Sequence, residues 1–143
     1  MIFAAGLGTR LRPLTDNMPK ALVPVAGKTM LERVILKLKD AGFHDITINI
    51  HHFGSQIIDF LRANQNFGVD IHISDERGEL LDTGGGIKKA RPLLESNEPF
   101  LIHNADILTD LDLNAFYHHH LESDADATLL TNHRKTSRYL LMN

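Results

Sequence analysis

Short apolar segments alternate with amphipathic segments along this chain, and this alternation restricts the fold more than any other feature. Isoleucines at positions 46, 48 and 50 alternate with other residues, which predicts a strand over residues 45–50. Apolar residues recur with the helical period from Leu31 to Leu38, which predicts a helix over residues 29–41. Strands and helices that alternate at this spacing indicate βαβ units, so the sequence predicts a mostly parallel sheet.

The same reasoning places further elements on both sides of this pair. We predict strands over residues 1–5, 69–74, 100–102, 127–131 and 139–142. We predict helices over residues 53–63, 84–94 and 113–121, the second interrupted or ended near Pro92. Residues 6–19 are predicted to form a loop. A chain of 143 residues is typical of one domain, so we expect a single α/β domain over residues 1–143.

Composition narrows the classes of partner. The formal net charge is -3, whereas nucleic-acid-binding domains are usually basic. The chain has no cysteine, which excludes disulfides and cysteine-ligated zinc. No apolar run reaches the length that crosses a bilayer, and the first residues lack the basic region of a signal peptide. We therefore expect a cytoplasmic protein without nucleic-acid or membrane partners.

A glycine-rich loop with two arginines, AAGLGTRLRPLTDNMPK, follows the first predicted strand. A dinucleotide fingerprint needs a third glycine where this chain has Leu11, and an ATP-binding P-loop needs a glycine where it has Leu22. The loop is therefore interpreted as one whose backbone N–H groups wrap a triphosphate. Arg10 and Lys20 would supply positive charge to the phosphates. The alternative is an ordinary solvated loop.

The extended segment AAGLGTRLRPLTDNMPKALVPVAGKTMLERVI resembles the signature of the sugar-1-phosphate nucleotidyltransferases, also called nucleotide-sugar pyrophosphorylases. The family pattern is G-x-G-T-R-[LM]-x-P followed by Pro-Lys, and both blocks are present here. The later segments NIHHFGSQI, LLDTGGGI, NAD and SRYLL follow in the family's order. By pattern, the chain resembles the N-acetylmuramate 1-phosphate uridylyltransferases and the mannose-1-phosphate guanylyltransferases within that family.

The resemblance implies a Rossmann-like three-layer sandwich of the nucleotide-diphospho-sugar transferase type. It also implies a reaction in which NTP and sugar 1-phosphate give NDP-sugar and pyrophosphate, with Mg²⁺ as cofactor. Catalytic roles fall on Arg10, at the departing pyrophosphate, and on Lys20, near the α-phosphate. The nucleotide-binding residues implied by the resemblance are Ala4, Ala5, Gly6, Gly8, Thr9, Glu76, Thr83, Gly84 and Gly85.

Two of these assignments have simpler alternatives. The resemblance places Glu76 where related enzymes read the base, but a glutamate at this position is also typical of a solvated surface. Asp106 follows a predicted buried strand, and the resemblance implies that it binds Mg²⁺, which prefers oxygen ligands. Aspartate is also common at turns, so Asp106 could simply cap the next turn.

The family's catalytic domain continues well past the segment SRYLLMN. The resemblance therefore implies that this chain is the N-terminal, NTP-binding portion of a C-terminally truncated domain. Strands left without neighbours would favour self-association through exposed sheet edges. One alternative function is a noncatalytic nucleotide-binding or regulatory module. Another is an NAD-dependent oxidoreductase, which the missing third glycine and the Arg10 and Lys20 pair disfavour.

Overall fold

The computed structural model describes residues 1–132 of the chain. Six strands occur there: β1 (Ile2–Phe3), β2 (Pro24–Val25), β3 (Lys28–Thr29), β4 (Asp45–Ile50), β5 (Asp70–Asp75) and β6 (His103–Asn104). Four α-helices accompany them: α1 (Met30–Asp40), α2 (Gly54–Ala63), α3 (Asp82–Leu94) and α4 (Leu113–Leu121). Short 3₁₀ turns at Thr9–Leu11, Lys20–Leu22 and Gln65–Gly68 complete the elements.

A four-stranded sheet in the order β5-β4-β1-β6 forms the centre of the fold, and all three of its strand pairings are parallel. The chain passes from β1 outward to β4 and β5, then returns to the other side of β1 as β6. The predicted α/β class, with a mostly parallel sheet and flanking helices, is confirmed. Strands β2 and β3, which the sequence analysis missed, form a separate antiparallel hairpin.

The main hydrophobic core lies on one face of this sheet. Ile46, Ile48 and Ile50 are at most 1% exposed and belong to the same buried cluster as Ile2. Helices α1 and α2 contribute six further members of this cluster, which are Leu31, Val34, Ile35, Leu38, Ile57 and Leu61. Burying a large aliphatic side chain stabilises a fold by roughly 1.5–3 kcal/mol, so this face supplies most of the hydrophobic stabilisation.

The opposite face of the sheet carries buried polar side chains. Thr47 and Asn49 alternate with the core isoleucines along β4, and both are 2% exposed. Asn49 pairs in register with Ser74, which is also buried. Helix α3 covers this face, because an added Cβ on Gly86 would lie 3.2 Å from the Asn49 amide nitrogen and 3.6 Å from the Phe3 ring. The sheet is therefore covered on both sides.

Several predicted bounds differ from the structure. Strand β1 is shorter than the predicted residues 1–5. It ends at Phe3, because the next amide, that of Ala4, donates to the Asn49 side chain instead of to the backbone of a neighbouring strand. The strand predicted over residues 100–102 is wrong: β6 begins at His103, opposite Ile2, where β1 first offers a partner. Helix α3 begins at Asp82 instead of Gly84 and continues through Pro92 to Leu94.

The strand predicted over residues 127–131 is also wrong. These residues form no strand, and Leu129 and Leu130 are 63% and 59% exposed. An apolar run forms a strand only where a neighbouring strand can accept its hydrogen bonds, and residues 1–132 provide none there. The strand predicted over residues 139–142 lies outside the described residues. Within residues 1–132, no helix has the length and apolar character that a membrane crossing requires.

Candidate functional site

A cleft of about 370 Å³ opens at the carboxyl ends of β1 and β6. The chain order reverses between these two neighbouring strands, and ligands of open α/β sheets bind at such points. The cleft is lined by Phe3, Ala4, Ala5, Gly6, Leu7, Gly8, Thr9, Arg10, Leu11, Lys20, Ala21, Asn49, Leu80, Asp82, Thr83, Asn104, Ala105 and Asp106.

Gly8 fixes the shape of the glycine loop at the entrance to the cleft. Its φ of 68° lies in the left-handed region, which glycine adopts without steric cost. An added Cβ would lie 3.0 Å from carbon atoms of both Lys20 and Thr15. The carbonyl of Gly8 accepts hydrogen bonds from the Thr15 hydroxyl at 2.8 Å and from the Leu11 amide at 2.9 Å. The loop backbone is therefore held close to Lys20.

Two of the predicted charged residues meet in the cleft. The Lys20 ammonium donates to a carboxylate oxygen of Asp106, and their side chains are 30% and 35% exposed. Arg10 lies on the same cleft wall, and among residues 1–132 its guanidinium forms no ion pair. The cleft is thus lined by two cations, Arg10 and Lys20, and by two carboxylates, Asp82 and Asp106.

Asn49, which lines the cleft, forms a buried polar network with Glu76. The Asn49 side-chain oxygen accepts from the Ala4 amide at 2.8 Å, and its nitrogen donates to Glu76 Oε1 at 2.8 Å. Glu76 Oε2 also lies 3.4 Å from the Leu81 amide. Glu76 is 0% exposed, so the alternative of a solvated surface glutamate is wrong. Its base-reading role stays a prediction.

Gly86 leaves room for this network, and its substitution provides a test. An added Cβ would lie 2.9 Å from Glu76 Oε1, too close for the buried carboxylate to stay in place. We expect Gly86→Ala to lower the free energy of unfolding by about 1–3 kcal/mol, the usual cost of overpacking. Gly84→Ala is the matched control, because its Cβ would meet nothing within 4 Å in the same helix. Urea unfolding of both variants measures the difference, and equal stabilities would contradict the packing argument.

The second glycine-rich segment lies in the first turn of α3. Thr83 lines the cleft, as does the preceding Asp82. Gly84 is exposed and Gly85 half-buried, and neither lines the cleft. The first amides of a helix lack partners within the helix, so this end offers N–H donors beside the cleft.

The structure brings most of the predicted site residues together. Those that line the cleft are Ala4, Ala5, Gly6, Gly8, Thr9, Arg10, Lys20, Thr83 and Asp106. Glu76 lies beneath the cleft, and Gly84 and Gly85 lie beside it. Sequence reasoning missed Asn49, although a polar residue between buried isoleucines near a strand's carboxyl end was an available signal. Asn104 and Asp82, which lie in segments that the sequence pointed to but were not predicted as site residues, also line the cleft.

A second, more open groove of about 550 Å³ lies between α1 and the beginning of α4. It is lined by Lys28, Arg33, Leu36, Lys37, Asp40, Ala41, Leu111, Asp112, Leu113 and Asn114. None of the predicted site residues borders it, and it lies away from the carboxyl ends of the sheet strands. The cleft beside β1 is therefore the candidate site.

Comparison with known proteins gives consistent matches. A family model described as nucleotidyl transferase matches residues 1–141. The chain is 48% identical over 117 residues to N-acetylmuramate alpha-1-phosphate uridylyltransferase from Neisseria meningitidis serogroup B, covering 82% of this chain and 50% of that protein. It is 39% identical over 125 residues to a mannose-1-phosphate guanyltransferase from Gibberella zeae, covering 84% of this chain and 34% of that protein. The chain thus spans half or less of the length of these relatives.

A solved structure shows the same fold. HddC from Yersinia pseudotuberculosis, complexed with GMP-PN, superposes with a TM-score of 0.75 at 33% sequence identity. The match covers 86% of this chain and 54% of that chain. The parallel sheet and flanking helices described above therefore occur in a protein crystallised in complex with GMP-PN.

Proposed function

This chain belongs to the nucleotidyl transferase family, and from that membership we propose that its cleft binds a nucleoside triphosphate for transfer to a sugar 1-phosphate. In this reaction a phosphate oxygen of the sugar 1-phosphate attacks the α-phosphorus. A new P–O bond forms as the bond between the α-phosphorus and the bridging oxygen breaks. The products are NDP-sugar and pyrophosphate.

One observation carries the proposal: Arg10 and Lys20, from the glycine loop, border the same cleft as Asp106, which lies 86 positions beyond Lys20 in the sequence. At Gly6 and Gly8 the loop adds backbone without side chains next to these charges. Such a surface suits a triphosphate, which needs N–H donors and positive charge at short range. A solvated loop would not need its backbone packed against Lys20, as Gly8 is.

We assign the two cations to different parts of the triphosphate. Arg10 offers a planar group of donors for the oxygens of the leaving pyrophosphate. Lys20 offers a compact charge for the α-phosphate, where negative charge must be offset before a second anion can approach. Phosphoryl-type transfer depends mainly on positioning and charge neutralisation, so these residues would contribute through electrostatics.

Asp106 fits a magnesium ligand by its chemistry. Its carboxylate is partly exposed in the cleft, and Mg²⁺ commonly binds one or two carboxylates together with substrate phosphates and waters. Within residues 1–132, no group of three or more acidic, histidine or cysteine side chains is arranged to hold a metal alone. Bound Mg²⁺ would neutralise charge on the phosphate oxygens. Lys20 pairs with Asp106 in the structure and would supply positive charge to the α-phosphate.

Binding measurements test the proposal directly. We expect UTP, GTP, CTP or dTTP to raise the melting temperature of the chain in the presence of Mg²⁺, because a ligand that binds only the folded state stabilises it. The 48%-identical relative is named for uridylyl transfer to N-acetylmuramate 1-phosphate, so UTP is the first nucleotide to test. Asp106→Asn should remove the dependence of binding on Mg²⁺ while leaving the fold intact.

Pyrophosphate release with a panel of sugar 1-phosphates then distinguishes an enzyme from a binding module. Release that depends on both substrates supports the proposed transfer. Nucleotide binding without release is expected both of a noncatalytic module and of a chain that spans half or less of its relatives' length. The absence of any nucleotide binding contradicts the proposal. Cytoplasmic location and self-association through exposed sheet edges stay predictions from the sequence.

A further inference from the structure

Asn49 joins both walls of the cleft, and we propose that it is a positioning residue for the nucleotide site. Its side chain would hold the glycine loop and the segment before α3 at a fixed separation. This inference rests on the proposed function, since it assumes that the cleft binds a nucleotide. It assigns a role to a residue that the glycine-loop pattern does not include.

The first wall is held through Ala4. Strand β1 ends at Phe3, and the next amide, that of Ala4, donates to the Asn49 side-chain oxygen at 2.8 Å. That amide is thereby satisfied by a side chain rather than by the backbone of β4. The chain consequently leaves the sheet at this residue and enters the loop that lines the cleft.

The second wall is held through Glu76. Asn49 donates to Glu76 Oε1 at 2.8 Å, and Glu76 Oε2 lies 3.4 Å from the Leu81 amide. Glu76 is itself anchored, because its amide donates to the Ile50 carbonyl at 2.8 Å. The segment that follows carries Leu80, Asp82 and Thr83, which line the same cleft as the glycine loop.

The chemistry of the two partners fixes the orientation of the Asn49 amide. Ala4 presents an N–H donor and Glu76 presents a carboxylate acceptor. The Asn49 oxygen must therefore face Ala4, and the Asn49 nitrogen must face Glu76. Asn49 is 2% exposed and Glu76 is 0% exposed, so water cannot easily replace these bonds. An alanine at position 49 would leave both partners unsatisfied and free to shift. Misplacement of cleft groups by a small distance weakens binding of a ligand that contacts both walls.

Calorimetric titration of the best-binding nucleotide with Mg²⁺ tests the role of Asn49. We expect Asn49→Ala to weaken the affinity about tenfold, which corresponds to roughly 1.4 kcal/mol. Thr47→Ala is the matched control, because Thr47 is a buried polar residue on the same face of β4 but outside the cleft. It should lower the melting temperature and leave the dissociation constant unchanged. If both variants lose stability and neither loses affinity, the role of Asn49 is merely structural and the inference is wrong.

A double variant provides a rescue experiment. In Asn49→Asp combined with Glu76→Gln, the new carboxylate accepts from the Ala4 amide, and the new amide donates to that carboxylate. The glutamine oxygen remains available to the Leu81 amide, so every hydrogen bond is restored with one buried charge. We expect this variant to bind at least about tenfold more tightly than Asn49→Asp alone. A double variant that is unfolded, or that binds no better than the single variant, contradicts the inference even if Asn49→Ala does not fold.

Comparison of nucleotide binding by wild type, Arg10→Ala and Asn49→Ala shows whether the proposed site or only the role of Asn49 is wrong. If the wild-type chain binds no nucleotide, or if Arg10→Ala binds as tightly as wild type, the proposed site is wrong and the inference falls with it. If wild type binds and Arg10→Ala weakens binding while Asn49→Ala does not, only the role of Asn49 is wrong.

Discussion

Arg10→Ala and Lys20→Ala are each expected to lower nucleotide affinity about 10–100-fold without unfolding the chain. Hydrogen bonds to charged groups contribute roughly 1.5–3 kcal/mol, and both cations lie where the triphosphate is proposed to bind. Neither substitution should cost much stability. The Lys20 and Asp106 side chains are about a third exposed, and partly exposed ion pairs contribute little.

Arg12→Ala is the matched control for this pair of variants. Arg12 lies in the same loop, but its side chain is 68% exposed, forms an ion pair with Asp16 and does not line the cleft. Calorimetry should therefore give wild-type affinity for Arg12→Ala and reduced affinity for the other two variants. Equal losses in all three would mean that the loop acts only through its overall charge. No loss in Arg10→Ala and Lys20→Ala would remove the phosphate assignment.

The salt dependence of binding adds a second measurement to this comparison. Interactions between exposed charges weaken as ionic strength rises, because the screening length falls from about 10 Å at 0.1 M salt to about 3 Å at 1 M. Wild type should therefore lose affinity with added salt more steeply than Arg10→Ala. Parallel slopes would indicate that Arg10 lies too far from the phosphates to interact with them.

The sequence predicted elements best where the local pattern and the tertiary contacts agree. The predicted bounds of β4 and α4 match the structure, because isoleucine alternation marks the strand and Asp112 caps the helix by accepting from the amides of Asn114 and Ala115. Strand β1 was predicted too long and β6 was misplaced, because the length of a short strand depends on its partner. Strand β6 pairs with only two residues of β1, and the local sequence of β6 does not indicate how many residues of its partner will pair.

In the candidate site too, residues in a local pattern were predicted, whereas residues that meet only through the fold were not. The glycine loop, Arg10, Lys20 and Asp106 were found from local residue patterns, and the resemblance added their roles. The network beneath them was not found, because Asn49 and Glu76 are 27 positions apart and meet only through the pairing of β4 with β5. Glu76 illustrates the limit most clearly, since its burial depends on Asn49 and on the gap at Gly86 rather than on its own sequence neighbours.

The buried network also predicts a large and pH-dependent effect of a single charge. In Asn49→Asp a second carboxylate would replace the amide that donates to Glu76 at 2.8 Å. Two buried carboxylates at this distance cannot both be ionised. We expect the free energy of unfolding to fall by about 4 kcal/mol at pH 7.5, because a proton held roughly three pH units above the ordinary pKa of a carboxyl group costs about 1.4 kcal/mol per unit. This loss is a large part of the roughly 5–15 kcal/mol that stabilises a typical domain.

The sign of the pH dependence follows from proton binding. The folded variant must hold a proton between the two carboxylates, whereas both carboxylates are ionised in the unfolded chain near neutral pH. Because the folded state then binds more protons, its stability falls as the pH rises and recovers as the pH is lowered. Urea unfolding at pH 5 and pH 7.5 should show this recovery in Asn49→Asp. Asn114→Asp is the control, since it makes the same change of charge at an exposed position. Its free energy of unfolding should change between pH 5 and pH 7.5 by about as much as that of wild type. If Asn49→Asp unfolds as wild type does at both pH values, Asn49 and Glu76 are not in contact within a buried site.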